Sequence, residues 1–210
     1  MVKIDIMSDP ICPWCYIGKT YLDRALKMRP DVQLHLRWHP FQLNPEMLAS
    51  GMDRRTYLEQ KFGGKAEAIN AYAPVVQHGI DGEIPMNLDK ISRTPNTLDA
   101  HRVIHWADLE GHQNDVVDGL FKAYFVDGRD LGDHEVLADV ADAAGMDASV
   151  VLRLLSGDSD RREIVERDAS ARGMGVTSVP TFIVASQHAV PGAQPTDLWL
   201  RVIDELAATA

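Results

Sequence analysis

Both cysteines of this 210-residue chain fall in one short run, Cys12-Pro13-Trp14-Cys15, and the residues around them constrain the fold more than any other stretch. Just before the run, Val2, Ile4 and Ile6 alternate with Lys3 and Asp5, which is the period of a strand. Just after it, Leu22, Ala25 and Leu26 recur at helical spacing, with Lys and Arg toward the helix end. The pair therefore sits at a strand-to-helix junction. Pro13 suits the first helical turn, where its missing N–H costs nothing. A cysteine at that end faces unpaired amides and the positive end of the helix dipole, which favour thiolate over thiol. Cys15, one turn further in, is placed to close a small disulfide with Cys12. The pattern is that of a redox dithiol.

Composition narrows the partners and the compartment. With 45% hydrophobic and 25% charged residues, the chain can bury a full core as one domain or one domain with an insertion. A net charge of −10 argues against nucleic acid and anionic membranes as partners. No run approaches the ~18 apolar residues of a membrane span. Met1 leads directly into an alternating strand, with no secretory signal pattern, so a cytoplasmic location is expected. In a reducing compartment two cysteines point to catalysis or metal binding rather than a structural disulfide.

Beyond the first helix, Val32, Leu34, Leu36 and Trp38 alternate as a second strand, and His39-Pro40 is expected to break it. From Asp53 to about Leu155 the periodicity turns helical. Ile69, Tyr72, Ala73 and Val76 mark one helix, and Ala100, Val103, Ile104 and Ala107 another. Val117, Leu120, Phe121 and Tyr124 mark a third, and Val136, Leu137, Val140 and Ala144 a fourth. Asp133 and Asp147 are candidate N-caps, and Gly145, Gly157 and Gly173 candidate helix stops. Residues 80–96 read as a loop. After a polar helix near 160–172, strand signals return over Val176–Val184, interrupted by Pro180, and over His188–Val190. The last helix is amphipathic through Leu198, Val202, Ile203 and Leu206. This order describes an α/β chain in which residues 1–55 and 160–210 form one domain around a helical insertion, residues 56–159. The terminal segments, 1–50 and 170–210, are expected to share one sheet.

The Cys12–Cys15 run, with Ser178-Val179-Pro180-Thr181 before a late strand, resembles the thioredoxin fold, and the long helical insertion resembles the DsbA class. Asp9-Pro10, Tyr16-Ile17-Gly18, Pro40-Phe41-Gln42-Leu43-Asn44-Pro45, the stretch Asn96–Arg102 and Gly192-Ala193-Gln194-Pro195 are similar to the FrnE-like branch. The sister branch holds kappa-class glutathione transferases and 2-hydroxychromene-2-carboxylate isomerases, which typically carry serine where Cys12 stands. The resemblance implies a thioredoxin fold with a large helical insertion, a cis Val179–Pro180 peptide facing the cysteines, and thiol–disulfide exchange.

In such exchange Cys12 is expected to be an exposed nucleophile and Cys15 the resolving thiol. Pro180 exposes the preceding backbone of Val179 to an extended substrate. Asp9, three residues before Cys12, is a candidate for passing a proton, or an ordinary turn residue. Trp14 is expected near the surface as an apolar substrate contact. Asn96 and His101 match a family block near the groove, against the plainer reading of a helix cap and a solvated histidine. The expected substrate is a disulfide-bearing protein or small thiol, with no cofactor beyond the cysteine pair and glutathione as a candidate co-substrate. Two rivals stand beside this. Cys12, Cys15, His101 and His105 have the composition of a Cys₂His₂ zinc site, with the two histidines one turn apart. A glutathione-dependent isomerase or transferase would use Cys12 without redox cycling.

Overall fold

The computed structural model describes residues 2–209. Strand β1 (Val2–Ser8) runs at the centre of a four-stranded sheet. It pairs in parallel with β2 (Leu34–Pro40), Ile4 opposite Leu36, and antiparallel with β5 (Thr181–Val184), Ile6 opposite Phe182. The outer strand β6 (His188–Pro191) pairs antiparallel with β5. The two ends of the chain therefore share one sheet, as neither half has strands enough alone. Ile4 and Ile6, alternate residues of β1, are fully buried.

Helix α1 (Pro13–Lys27) follows β1 directly and packs on the closing helix α9 (Thr196–Thr209). Phe182 of β5 meets Trp199 of α9 edge to face, with ring centres 4.7 Å apart. Trp199 is the fully buried anchor of that helix with Ile203, while Leu198, Val202 and Leu206 are only half-buried.

Between the halves lie helices α2 (Arg54–Phe62), α3 (Lys65–Asp81), α4 (Leu98–Glu110), α5 (Gln113–Phe121), α6 (His134–Ala143), α7 (Ala148–Leu155) and α8 (Arg161–Gly173). Asp133 and Asp147 accept backbone N–H groups in the first turns of α6 and α7, so both cap as expected. The Asn96–Arg102 block is structural in part. Arg102 is fully buried and donates to the carbonyls of Leu154, Gly157 and Ser159, collecting the free end of α7 while pairing with Asp99 at 2.9 Å.

Several local expectations are corrected. Strand β2 continues through His39 and Pro40, because β1 extends to Ser8 opposite Pro40. The third helix changes to a π-helical turn over Lys122–Val126. The stretch read as a loop contains the end of α3, a 3₁₀ turn at Leu88–Lys90 and β4 (Arg93–Thr94), which pairs with β3 (Met52–Asp53) in a two-stranded ribbon. Residues 176–180 are not strand; β5 begins only after Pro180. Gly173 ends α8 rather than following it.

Candidate active site

Cys12 is the N-cap of α1, in an extended conformation (φ −84°, ψ 115°), with Pro13 beginning the helix. Its carbonyl accepts the first helical bonds, from Cys15 N (3.1 Å) and Tyr16 N (3.2 Å). No acidic residue occupies that first turn. Cys15 lies one turn inside and is fully buried. Burial pushes the Cys15 thiol well up, and its hydrogen bond to Cys12 adds to this; the Ser8 hydroxyl and the Asp9 amide pull the other way. Cys15 is thereby held as a protonated thiol.

The peptide Val179–Pro180 is cis, and the Cys12 thiol donates to the Val179 carbonyl at 3.6 Å. Gly18 permits this approach of the Pro180 loop to α1. A Cβ there would lie 3.1 Å from Pro180 Cγ and 3.3 Å from Ala193 Cα. The predicted exposure of Cys12 is corrected, since it is only 3% exposed. The Val179 carbonyl lies against its sulfur, and helix α3 of the insertion packs on α1. Trp14 packs edge to face on His78 of α3 (5.3 Å), and Tyr21 reaches the same His78 at 3.3 Å. Trp14 is therefore half-buried under α3 rather than displayed at the surface.

Asp9 is completely buried at the end of β1. Its carboxylate accepts from Leu43 N (2.6 Å), Ile11 N (3.2 Å) and the Thr97 hydroxyl (3.3 Å). Burial raises it to about 7 despite those three donors. Its backbone carbonyl accepts from Cys12 N at 2.9 Å, so it also fixes the turn carrying the nucleophile. The carboxylate itself joins that turn to the 41–44 loop and to Thr97 at the start of α4.

The loop is held from α8 as well. Asp168 accepts from Gln42 N at 2.6 Å, and Arg172 pairs with Asp168, donates to the Gln42 carbonyl and lies 4.0 Å from the Phe41 ring centre. Gln42 belongs to the 40–45 block noted in the sequence, whereas Asp168 and Arg172 carry no such mark there. Only the i, i+4 spacing of the last two hinted at a pair, and nothing local tied them to Gln42. Asn96 accepts from Gln42 Nε2 (3.3 Å) and Leu98 N (2.9 Å) and donates to the Met47 carbonyl (2.6 Å), so its side chain acts as cap and loop anchor.

His101 is not solvated but 2% exposed, and burial lowers it to about 4. It borders a small cavity with Ser8, Trp38 and Phe121, and among the described residues its Nε2 has no hydrogen-bond partner. The zinc arrangement is not formed. Among the described residues the one group with metal-ligand proximity is His105, Asp160 and Glu163, without either cysteine or His101. Arg167 donates to His105 Nδ1 at 2.9 Å, so the remaining ring proton belongs on Nε2, the atom facing Glu163.

This geometry has relatives. Residues 3–204 match the family model described as a DSBA-like thioredoxin domain. The chain belongs to that family. Among solved structures, a probable DsbA oxidoreductase from Streptomyces coelicolor superposes with a TM-score of 0.87 at 25% identity, over 100% of this chain and 92% of that one. The cytosolic disulfide reductase DsbM from Pseudomonas aeruginosa, determined with GSH, gives 0.70 at 17% identity, over 98% and 99%. A 2-hydroxychromene-2-carboxylate isomerase gives 0.74 at 15%, over 99% and 97%. A curated relative, the uncharacterized Bacillus subtilis protein YwbO, is 25% identical over 97% of this chain and 96% of its own length. As a DSBA-like thioredoxin domain, the chain carries its helical insertion between β2 and β5.

Proposed function

We propose that this DSBA-like protein exchanges disulfides through Cys12 and Cys15. The observation that carries the reading is their asymmetry: Cys12 caps the positive end of α1, while Cys15 is kept protonated one turn inside. Cys12 thiolate attacks a substrate disulfide, forms the mixed disulfide and expels one substrate thiolate. Cys15 then loses its proton and attacks Cys12, closing the intramolecular disulfide and releasing the second substrate thiol. Val179, whose carbonyl meets the Cys12 sulfur, offers backbone to an extended substrate. Asp9 fixes the turn and exchanges a proton near neutrality.

No described helix is long and apolar enough to cross a membrane. We place the protein in the cytoplasm, in line with the cytosolic DsbM relative, and take glutathione or a protein disulfide as the substrate pool. A reducing pool makes reductase or isomerase work its duty. Insulin reduction by the purified protein tests the reading: turnover that disappears in Cys12→Ser is expected. An inactive protein that instead binds glutathione tightly would move the assignment to the isomerase branch.

A further inference from the structure

A buried guanidinium without a carboxylate stands in the insertion. Arg54, the first residue of α2, is 6% exposed. Its Nη1 donates to the Tyr124 hydroxyl (3.1 Å) and its Nη2 to the Tyr72 hydroxyl (3.0 Å), and its Cζ lies 5.7 and 5.4 Å from the two ring centres. Among the described residues it forms no ion pair. Two neutral hydroxyls and two ring faces soften the cost of a buried charge but do not neutralise it, and a guanidinium has five donors to place. Arg102, the chain's other deeply buried arginine, by contrast pairs with Asp99 and four carbonyls.

Arg54 and Tyr72 line a cleft of about 540 Å³ between α2, α3 and the Leu88–Lys90 turn. That volume lies in the range of small-molecule sites. Its walls are apolar through Leu58, Ala68, Leu88 and Ile91, with Ile69 exposed at the rim. The rim charges are largely spoken for. Arg55 pairs with Glu59 at 2.8 Å, and Asp53 accepts from Thr56 N at the start of α2. Exposed Lys65 and Asp89 offset one another in sign. The lining carries three acids (Asp53, Glu59, Asp89) and three bases (Arg54, Arg55, Lys65), and of these only Arg54 is buried.

We propose that this cleft binds an amphipathic anion, a carboxylate on an apolar body, with the Arg54 guanidinium as its charge partner. The apolar part lies against Leu58, Ala68 and Ile91, and the carboxylate takes N–H donors of Arg54 left free by the tyrosines. The site uses neither cysteine and stands whether or not the exchange reading does.

The test is calorimetry on the full chain with 2-naphthoate and its uncharged counterpart 2-naphthalenemethanol, in 0.15 M salt. Binding of 2-naphthoate at least tenfold tighter is expected. Arg54→Met should abolish the preference while retaining weak binding of both. Ile69→Trp, on the exposed rim, should weaken both by narrowing the cleft, and serves as the variant test if Arg54→Met does not fold. Equal affinities in the wild type, no binding of either up to millimolar concentration, an undiminished preference in Arg54→Met, or full affinity in Ile69→Trp would overturn the proposal.

Discussion

Replacing Asp9 by Asn should make the protein more stable at pH 8 and not at pH 4. The folded structure raises this carboxyl from the usual 3.8 to about 7 by burying it completely. A carboxyl that holds its proton more tightly when folded contributes stability below its unfolded value, and that contribution is lost as pH rises through the folded value. The shift corresponds to about 4 kcal/mol, imposed progressively between pH 3.8 and 7. Asn keeps an acceptor for Leu43 N and the Thr97 hydroxyl at one position but presents N–H groups where the other oxygen stood, facing the Ile11 N–H. Losing one such hydrogen bond costs about 1 kcal/mol at every pH. Asp9→Asn is therefore expected to be about 1 kcal/mol less stable than the wild type at pH 4 and about 3 kcal/mol more stable at pH 8. Urea denaturation of both proteins from pH 4 to 8, under reducing conditions, reads the difference directly, because other titrating groups cancel in it. A difference that stays constant within 1 kcal/mol across the range would refute the reasoning and place Asp9 in contact with solvent or a cation.

Other expectations follow from single contacts. His101 has the opposite sign: a buried base lowered from 6.5 to about 4 gives stability present above pH 6.5 and lost as pH falls to 4, about 3 kcal/mol in all. His101→Gln should remove that acid sensitivity in the same denaturation series. Gly18→Val should destabilise by about 1–3 kcal/mol and slow disulfide exchange, because its Cβ presses on Pro180, whereas Gly18→Ala regains part of the loss through helix propensity. Lys19 is buried and pairs with the partly exposed Asp23 and Asp118, each 2.6 Å away; Lys19→Met should cost about 1 kcal/mol in thermal or urea unfolding, part of which Asp23→Asn restores.

What could be read from sequence was whatever a local pattern encodes. The alternating β1, the proline after Cys12 and the apolar spacing of α1 together located the dithiol at a helix start. Asp133 and Asp147 announced their helices because a cap needs only the next two or three residues. The β3–β4 ribbon escaped notice because two-residue strands have no period to detect. Val176–Ser178 carry strand-forming residues, yet hydrogen-bonded pairing with β1 starts only at Thr181. A helix end usually faces water, which predicts an exposed Cys12; its burial is tertiary, with Val179 from far along the chain against its sulfur. The same holds for the anchoring of Gln42 by Asp168 and for the burial of His101.

The central claim is the division of labour between the two sulfurs, and trapping tests it most directly. Cys12→Ser and Cys15→Ser are each incubated with a model disulfide and separated on non-reducing gels. The account predicts a persistent adduct on Cys15→Ser, where attack occurs but no thiol resolves it, and none on Cys12→Ser, whose remaining thiol lies one turn inside α1 and is held protonated. A stable adduct on Cys12→Ser with none on Cys15→Ser would reverse the roles, and no adduct on either would contradict the redox account.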